Sequence, residues 1–270
     1  MGDAFGDLAA LIDEAPGEWG VVVGDADSGA ELFAASPDTV LRSASAAKLV
    51  LLTAVARRIE ARELAADELL RRDSAAPVAD SGIWQHLSVD ALPVEDVARL
   101  VGLASDNLAT NVLLDRIGGV DALTLGDVAL HDLVRDDRGP GAPPTLSSGS
   151  ARGYAALVGA LHRGEVGGPA VSARVLGWLR GGLDLSMVAS AFGLDPLAHD
   201  GSDRGLSVVN KSGTDDGIRV DVGLAAGPSG TIAYACLANW SPNGADDPDR
   251  DAVLRVMRAL GDAIRAQLND

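Results

Sequence analysis

A serine and a lysine three positions apart could act as a nucleophile and its base. Ser45 and Lys48 open a segment whose apolar residues, from Leu49 to Ile59, recur with helical spacing. On a helix the two side chains lie one turn apart on the same face, so the lysine amine can reach the serine hydroxyl. A neutral amine could accept the serine proton, and the helix N-terminus would stabilise the developing alkoxide. A simple helix cap is the alternative role for this serine.

A second polar group, Ser105-Asp106-Asn107, separates two helical patterns at Val94 to Leu103 and Leu108 to Ile117. The spacing predicts a tight junction between two helices, with polar side chains at the turn. Helix capping is again an alternative role for these side chains.

A third group, Lys211-Ser212-Gly213-Thr214, lies at the end of a strand pattern that begins at Leu206. Glycine in a strand allows another backbone to approach closely. A salt bridge on the strand is the alternative role for this lysine.

Lysine is rare in this chain. Among 22 basic residues only Lys48 and Lys211 are lysines. An arginine does not give up its proton under ordinary conditions, whereas a lysine in a suitable site can. The two lysines therefore mark positions where arginine would fail chemically, unless a coding bias towards arginine left them by chance.

The elements that must position these groups follow a clear order. A helical pattern at residues 5–14 precedes strand patterns at Gly20 to Gly24 and Glu31 to Ala34. Helical patterns, including Ala151 to Leu161 and Ala173 to Leu179, fill the middle of the chain. The later strand patterns, joined by glycine-rich turns, are Leu206 to Ser212, Ile218 to Leu224 and Thr231 to Ala238.

The short turns predict antiparallel pairing, and Asp247-Pro248 begins a last helix. We therefore predict a mixed α/β fold, in which a five-stranded antiparallel sheet flanked by the terminal helices carries an inserted all-helical lobe. Residues 1–270 would form a single domain, with a sheet lobe from residues 1–40 and 200–270 and a helical lobe from residues 41–199. A site would lie where the two lobes meet.

Together the three groups have the order S-x-x-K, S-D-N and K-S-G, which resembles class A β-lactamases and their penicillin-binding relatives. The predicted order of elements is similar to the fold of that family over nearly the whole chain. The resemblance implies a serine hydrolase that acts on β-lactams or related amides and esters through an acyl-Ser45 intermediate. It further implies that Lys48 serves as the base and that Ser105 passes a proton to the leaving nitrogen.

The resemblance also implies roles in substrate binding. Asn107 would hold the side-chain amide of the substrate, while Lys211 and Ser212 would bind its carboxylate. The oxyanion hole would be formed by the backbone N–H groups of Ser45 and Thr214, with Gly213 directly before Thr214 in the motif.

Two further residues have open roles. Arg219 would supply a second cation for the carboxylate, or would pair with Asp221 or lie at the surface. Trp84 would lie at the mouth of the pocket, where relatives often place an aromatic residue, or would be packed in the core.

The chain departs from the class A pattern in one respect. Class A enzymes use a glutamate on the loop after S-D-N to activate the deacylating water. Here no glutamate lies between Glu95 and Glu165. Asp136 or Asp137 could replace it, although the neighbouring Arg135 and Arg138 also fit a solvated ion cluster.

We therefore expect acylation with slow deacylation, in which Lys48 is the other candidate for activating the water. A penicillin-binding-type esterase or D-alanyl peptidase is one alternative. A non-catalytic module that binds β-lactams or carboxylate ligands is another.

Composition narrows the range of partners. The net charge of −17 disfavours nucleic acids and anionic membranes, and the scattered histidines lack the spacing of metal ligands. We expect a monomer that uses no metal or cofactor and acts on a small, carboxylate-bearing acyl substrate. Residues 1–12 lack the pattern of a secretory signal, which predicts a cytoplasmic protein; an exported protein trimmed of its signal would look the same.

Overall fold

The protein is described from a computed structural model that covers residues 5–121, 123–244 and 247–269. Its α-helices are α1 (Leu8–Glu14), α2 (Lys48–Glu60), α3 (Val94–Ala104), α4 (Asn107–Ile117), α5 (Ala151–His162), α6 (Pro169–Leu179) and α7 (Pro248–Asn269). Its strands are β1 (Glu18–Asp25), β2 (Glu31–Ala35), β3 (Leu41–Arg42), β4 (Leu69–Arg71), β5 (Ala91–Pro93), β6 (Thr124–Leu125), β7 (Val128–Leu130), β8 (Ser147–Gly149), β9 (Ser207–Asp215), β10 (Ile218–Gly227) and β11 (Gly230–Asn239).

The main sheet has five antiparallel strands in the order β2-β1-β11-β10-β9. β9 and β10 form a hairpin in which Asp215 pairs with Ile218, so that Asp216 and Gly217 make the turn. Gly217 has a φ of +65°, a conformation that glycine adopts without a steric penalty. The predicted mixed α/β fold with a five-stranded antiparallel sheet is confirmed.

Each face of the sheet has its own core. Along β1, Val21 and Val23 pack with buried residues of the terminal helices α1 and α7, whereas Val22 faces the core shared with the inserted segment. This alternation is the period-two pattern of a strand buried on both faces. Leu49, in α2, belongs to the same core as Val22, so the helix that follows Ser45 packs against the face of the sheet shared with the inserted segment.

The inserted segment contains short strands as well as the predicted helices. β3, β8, β7 and β6 form a four-stranded sheet, and β4 pairs with β5. These strands are two or three residues long, too short to show an alternating apolar pattern in the sequence. The division into lobes at residues 40/41 and 199/200 stays a prediction.

The last helix begins at Pro248, and the indole N–H of Trp240 donates a hydrogen bond of 2.6 Å to Asp247 just before it. Residues 245 and 246 of the acidic segment before this helix lie outside the described residues. Among the described helices, none is both long enough and apolar enough to cross a membrane.

Candidate active site

Ser45 lies in a 3₁₀ turn, Ala44–Ala47, that leads directly into α2. Ala44, immediately before it, has a φ of +46°, which costs free energy for a residue with a side chain. The buried hydroxyl of Ser147 donates a hydrogen bond of 2.6 Å to the Ala44 carbonyl and so helps to hold this conformation. Behind the turn, the Tyr154 hydroxyl donates to Ser43 at 2.6 Å. The backbone around Ser45 is therefore fixed by a buried hydroxyl network.

Lys48 is fully buried one turn after Ser45. Its Nζ donates to the Ser105 carbonyl oxygen at 2.7 Å, to Asn107 Oδ1 at 2.8 Å and to Ser105 Oγ at 3.4 Å. Burial, and then the charge of Lys211, lower the pKa of Lys48 well below its ordinary value, while Asp106 opposes this shift. Lys48 can therefore lose its proton far more readily than an exposed lysine.

The junction between α3 and α4 presents these acceptors to Lys48. Ser105 has a left-handed conformation, with a φ of +53°, and ends α3. Asp106 is buried and caps α4 by accepting the Ala109 N–H at 2.8 Å, and it also accepts the N–H groups of Ile83 and Trp84 at 2.7 and 2.9 Å. The S-D-N group therefore both caps α4 and contributes to the site: Asp106 fixes the turn, and Ser105 and Asn107 contact Lys48.

Lys211 approaches the same serine from the sheet. Its Nζ donates to Ser105 Oγ at 3.0 Å and to the Ser212 carbonyl at 2.9 Å. Burial lowers the pKa of Lys211 to about 8, although the charges of Asp184 and Asp221 oppose the shift. The Ser105 hydroxyl consequently lies between two lysine side chains from different parts of the fold.

Gly213 lets the edge strand β9 press against the turn that carries Ser45. A Cβ at Gly213 would lie 2.3 Å from the Ser43 carbonyl oxygen, 3.0 Å from the Ala46 nitrogen and 3.2 Å from the Ser45 nitrogen. Only glycine fits this contact without a shift of backbone. Thr214, the next residue, is thereby brought beside Ser45.

One cavity of about 690 Å³ joins most of the predicted residues. Those in its wall are Ser45, Ser105, Lys211, Ser212, Thr214 and Arg219. A second cavity, of about 260 Å³, also reaches Ser45 and Thr214 and includes Asn107. In the part of the chain that the structure describes, the Ser45 hydroxyl forms no hydrogen bond, so it is available to another molecule in either cavity.

The pocket-mouth role considered for Trp84 is wrong. Trp84 is fully buried, and its indole N–H donates to the Val89 carbonyl at 3.0 Å. The alternative of a packed tryptophan is correct, because Asp106 draws the backbone of this segment inward. The neighbouring Ile83, which is 37% exposed, lines the large cavity instead.

Arg219 lies in the cavity wall and does not pair with Asp221. Its guanidinium donates to the carbonyls of Asp215 and Ile218 and lies 5.8 Å from the centre of the Trp240 ring. Asp221 is buried and accepts hydrogen bonds from Asn210 at 2.9 Å and from the Ala189 N–H at 3.1 Å. Burial raises the pKa of Asp221 to about 6.

The aspartates of the loop, Asp132, Asp136 and Asp137, have different contacts. Arg135 and Arg138 both bind Asp132, at 2.8 and 2.9 Å, rather than Asp136 or Asp137. Asp136 accepts the Ala79 N–H at 2.7 Å and lines the 260 Å³ cavity together with Ser45, whereas Asp137 is not part of that cavity. Asp136 is thus the closer counterpart of a loop carboxylate that could activate water.

Sequence reasoning missed Asp184 and the hydroxyl network of Ser43, Ser147 and Tyr154. Asp184 lines the large cavity, although it belongs to no recognised motif. Ser147 lies in a loop rich in serine and glycine, where nothing in the pattern distinguishes it from its neighbours. Within this hydroxyl network, only Ser43 could have been suspected from the sequence, because it lies two residues before Ser45.

The chain is similar to known proteins over nearly its whole length. The model of the Beta-lactamase enzyme family matches residues 5–268. The beta-lactamase from Sphaerobacter thermophilus DSM 20745 is similar at 25% identity over 97% of this chain and 95% of that one, with a TM-score of 0.78. PBP-A is similar at 22% identity over 98% and 97% of the two chains, with a TM-score of 0.77. A beta lactamase from Burkholderia vietnamiensis has 21% identity over 99% and 97%, with a TM-score of 0.76. The search among curated proteins gave no match.

Replacing Gly213 with alanine should disable the site while leaving most of the fold intact. The added Cβ must push β9 away from the Ser45 turn, and a displacement of about 1 Å can cost about 100-fold in rate. We expect covalent labelling of Ser45 by a penicillin to slow by about that factor, with a loss of about 1–3 kcal/mol in the free energy of unfolding. Intact-protein mass spectrometry and thermal melting measure the two effects.

Gly201→Ala is the matched control, because a Cβ at this exposed glycine would contact no other residue. It should leave both measurements unchanged. Normal labelling of the Gly213→Ala variant would contradict the role of this close contact.

Proposed function

The chain belongs to the beta-lactamase enzyme family, and on this premise we propose that it is a serine hydrolase that acts on β-lactams or related amides and esters through an acyl-Ser45 intermediate. The observation that carries the proposal is the position of the Ser105 hydroxyl, 3.4 Å from Lys48 Nζ and 3.0 Å from Lys211 Nζ, in the wall of the cavity that contains Ser45. If Ser105 had only a structural role, there would be no reason for its hydroxyl to contact two buried lysines in the wall of the cavity that contains Ser45.

Acylation begins with Lys48 in its neutral form. The amine accepts the Ser45 proton as Oγ attacks the substrate carbonyl, and a C–O bond forms to the acyl group. Ser105 then donates its proton to the leaving nitrogen or oxygen as the bond between that atom and the acyl carbon breaks, and it recovers a proton from Lys48. Lys211 keeps the Ser105 hydroxyl polarised through the 3.0 Å contact.

The oxyanion that forms during attack would be stabilised by the backbone N–H groups of Ser45 and Thr214. Their proximity depends on Gly213, whose missing side chain allows β9 to contact the Ser45 turn. In enzymes of this kind one such donor contributes about 3–4 kcal/mol to stabilisation of the transition state. Asn107 accepts from Lys48 through Oδ1 and donates through Nδ2 to the Ala79 carbonyl at 3.1 Å, which leaves one Nδ2 hydrogen for the side-chain amide of a substrate.

Deacylation is the weaker half of the proposed reaction. No glutamate lies between Glu95 and Glu165, and the carboxylate on the Ser45 side of the loop is that of Asp136, which has a shorter side chain. We therefore infer slow release of the acyl group. The same feature favours, as a second candidate, a penicillin-binding-type esterase or D-alanyl peptidase in which Lys48 serves both half-reactions.

Time-resolved mass spectrometry tests the acyl intermediate. After mixing with a chromogenic cephalosporin, we expect a lasting adduct on Ser45 with little accompanying hydrolysis. Ser45→Ala should form no adduct, and Lys48→Arg should form almost none, because a guanidinium keeps the charge but cannot accept the proton. Labelling that survives in either variant would refute the assigned roles. Stoichiometric labelling with no hydrolysis of any ester would instead indicate a binding module.

The pH dependence of acylation should be bell-shaped. The rate should rise with pH as Lys48 loses its proton, and it should fall above pH 8 as Lys211, with a pKa of about 8, loses the positive charge that polarises Ser105. Lys211→Arg keeps the charge at every accessible pH and should remove the falling limb. Stopped-flow acylation rates between pH 5 and pH 10 measure both limbs, and an unaltered falling limb in Lys211→Arg would contradict the assignment.

Asp136→Asn tests the loop carboxylate in deacylation. If Asp136 activates the water, the adduct on Ser45 should decay about tenfold or more slowly in this variant, because a general base contributes at least that much. Asp137→Asn is the matched control and should decay like the unmodified protein, since Asp137 does not line the cavity with Ser45. Equal decay in both variants would exclude Asp136 and would leave Lys48, together with Asp80 and Asp215 in the wall of the same cavity, as the groups that could activate the water.

A further inference from the structure

Asp184 places a fixed carboxylate in the wall of the 690 Å³ cavity, on the side of Lys211 and Ser212. Its Oδ1 accepts the Ser186 hydroxyl at 2.6 Å and the Ser186 N–H at 3.1 Å. The Asp184 carbonyl oxygen accepts a further hydrogen bond of 3.2 Å from Asn210, which lies next to Lys211 on β9. Contacts at both its side chain and its backbone therefore hold Asp184 in place.

The charged form of Asp184 is favoured at this position. Burial raises the pKa of the carboxyl, but hydrogen bonds from the Ser186 and Ser212 hydroxyls and the charge of Lys211 outweigh burial, so the pKa lies below its ordinary value. At neutral pH the cavity therefore already contains an anion that interacts with Ser212 and Lys211.

These are the groups that would otherwise bind a substrate carboxylate. A second carboxylate at Lys211 and Ser212 would have to share their charge and hydrogen bonds with Asp184 and would be repelled by it. Arg219 and Arg250 also line the cavity and keep their positive charge, Arg219 while its Nη1 donates to the backbone carbonyls of Asp215 and Ile218, so they remain cations for a carboxylate bound away from Asp184. A neutral group beside Lys211 and Ser212 would meet no repulsion from Asp184.

We propose that Asp184 is a specificity-determining residue, which directs the site towards acyl substrates that lack a carboxylate beside Lys211 and Ser212. The inference rests on the proposed function, because it names the substrate class of the same Ser45 site. It narrows the expected substrates to neutral esters and amides and makes carboxylate-bearing substrates, β-lactams included, weaker ones.

The test compares two thioesters with the same acyl group, one with a thioglycolate leaving group and the other with the corresponding neutral amide. Asp184→Asn keeps the size of the side chain and its hydrogen bond with Ser186 but removes the charge. We expect the ratio of kcat/KM for the thioglycolate to kcat/KM for the neutral thioester to rise about tenfold or more. The ratio is the readout because the Asp184 charge also keeps the pKa of Lys211 from falling further, and both substrates share that effect. An equal change for both substrates, or none, would overturn the proposal.

Asp13→Asn is the matched control for net charge. Asp13 lies exposed on α1 and does not line the large cavity. Its replacement should leave the ratio of the two kcat/KM values unchanged. A similar rise in Asp13→Asn would mean that overall charge, not Asp184, sets the preference.

A binding measurement separates this proposal from the proposed function. Calorimetry in the Ser45→Ala background, with and without Asp184→Asn, reports the affinity for the same two thioesters without any turnover. Tighter binding of the thioglycolate, by about tenfold, would support the role of Asp184 even if the unmodified protein failed to acylate, an outcome that would refute only the proposed function. Unchanged affinity would refute the role of Asp184.

Discussion

The burial of the Lys48 amine is the constraint on which the arrangement of the site depends. A fully buried ammonium must find acceptors, since an unpaired charge in the interior costs several kcal/mol. The acceptors come from the α3–α4 junction, where Ser105 takes a left-handed conformation and Asp106 fixes the turn from behind. The same burial lowers the pKa of Lys48, whereas its acceptors and Asp106 favour the ammonium, so the observed balance is one in which the amine loses its proton more readily than an exposed lysine.

The second constraint is the close contact between the sheet and the Ser45 turn. β9 is an edge strand, and the turn that carries Ser45 packs against one face of it at Gly213. Gly213 makes this contact possible, and it brings Lys211 to Ser105 and Thr214 to Ser45 in a single step. The turn that carries Ser45 is also held by hydrogen bonds from the Ser147 hydroxyl to the Ala44 carbonyl and from the Tyr154 hydroxyl to Ser43. The turn is therefore fixed both by these hydroxyls and by its contact with β9. The active groups therefore come from three separated stretches of sequence, and one backbone contact aligns them.

The parts of this architecture that the sequence made predictable are those with local signals. Apolar periodicity located the sheet and the helices, and the three short motifs each carry the residue type that the chemistry needs. The role of Trp84 could not be decided in that way, because its burial depends on a hydrogen bond from its backbone to Asp106, far along the chain. Asp184 was missed for a similar reason. It lies in the loop after α6, outside any motif, and a hydrogen bond from Asn210 on β9 to its backbone carbonyl brings it beside Lys211.

Two carboxylates in the cavities that reach Ser45 bear on how the proposed function would differ from the class A pattern. Asp136 lines the smaller cavity and lies on the loop where the family pattern has a longer glutamate, and Asp184 lines the larger cavity together with Lys211 and Ser212. On the proposed function, the first change would weaken the activation of water, and the second would weaken the attraction of a carboxylate beside Lys211 and Ser212. Weak activation of water would matter least for an acyl-enzyme whose leaving group departs, because water can then enter the space that it leaves. The two proposed effects are therefore consistent with each other, since both would move the site away from rapid hydrolysis of carboxylate-bearing β-lactams and towards neutral acyl groups.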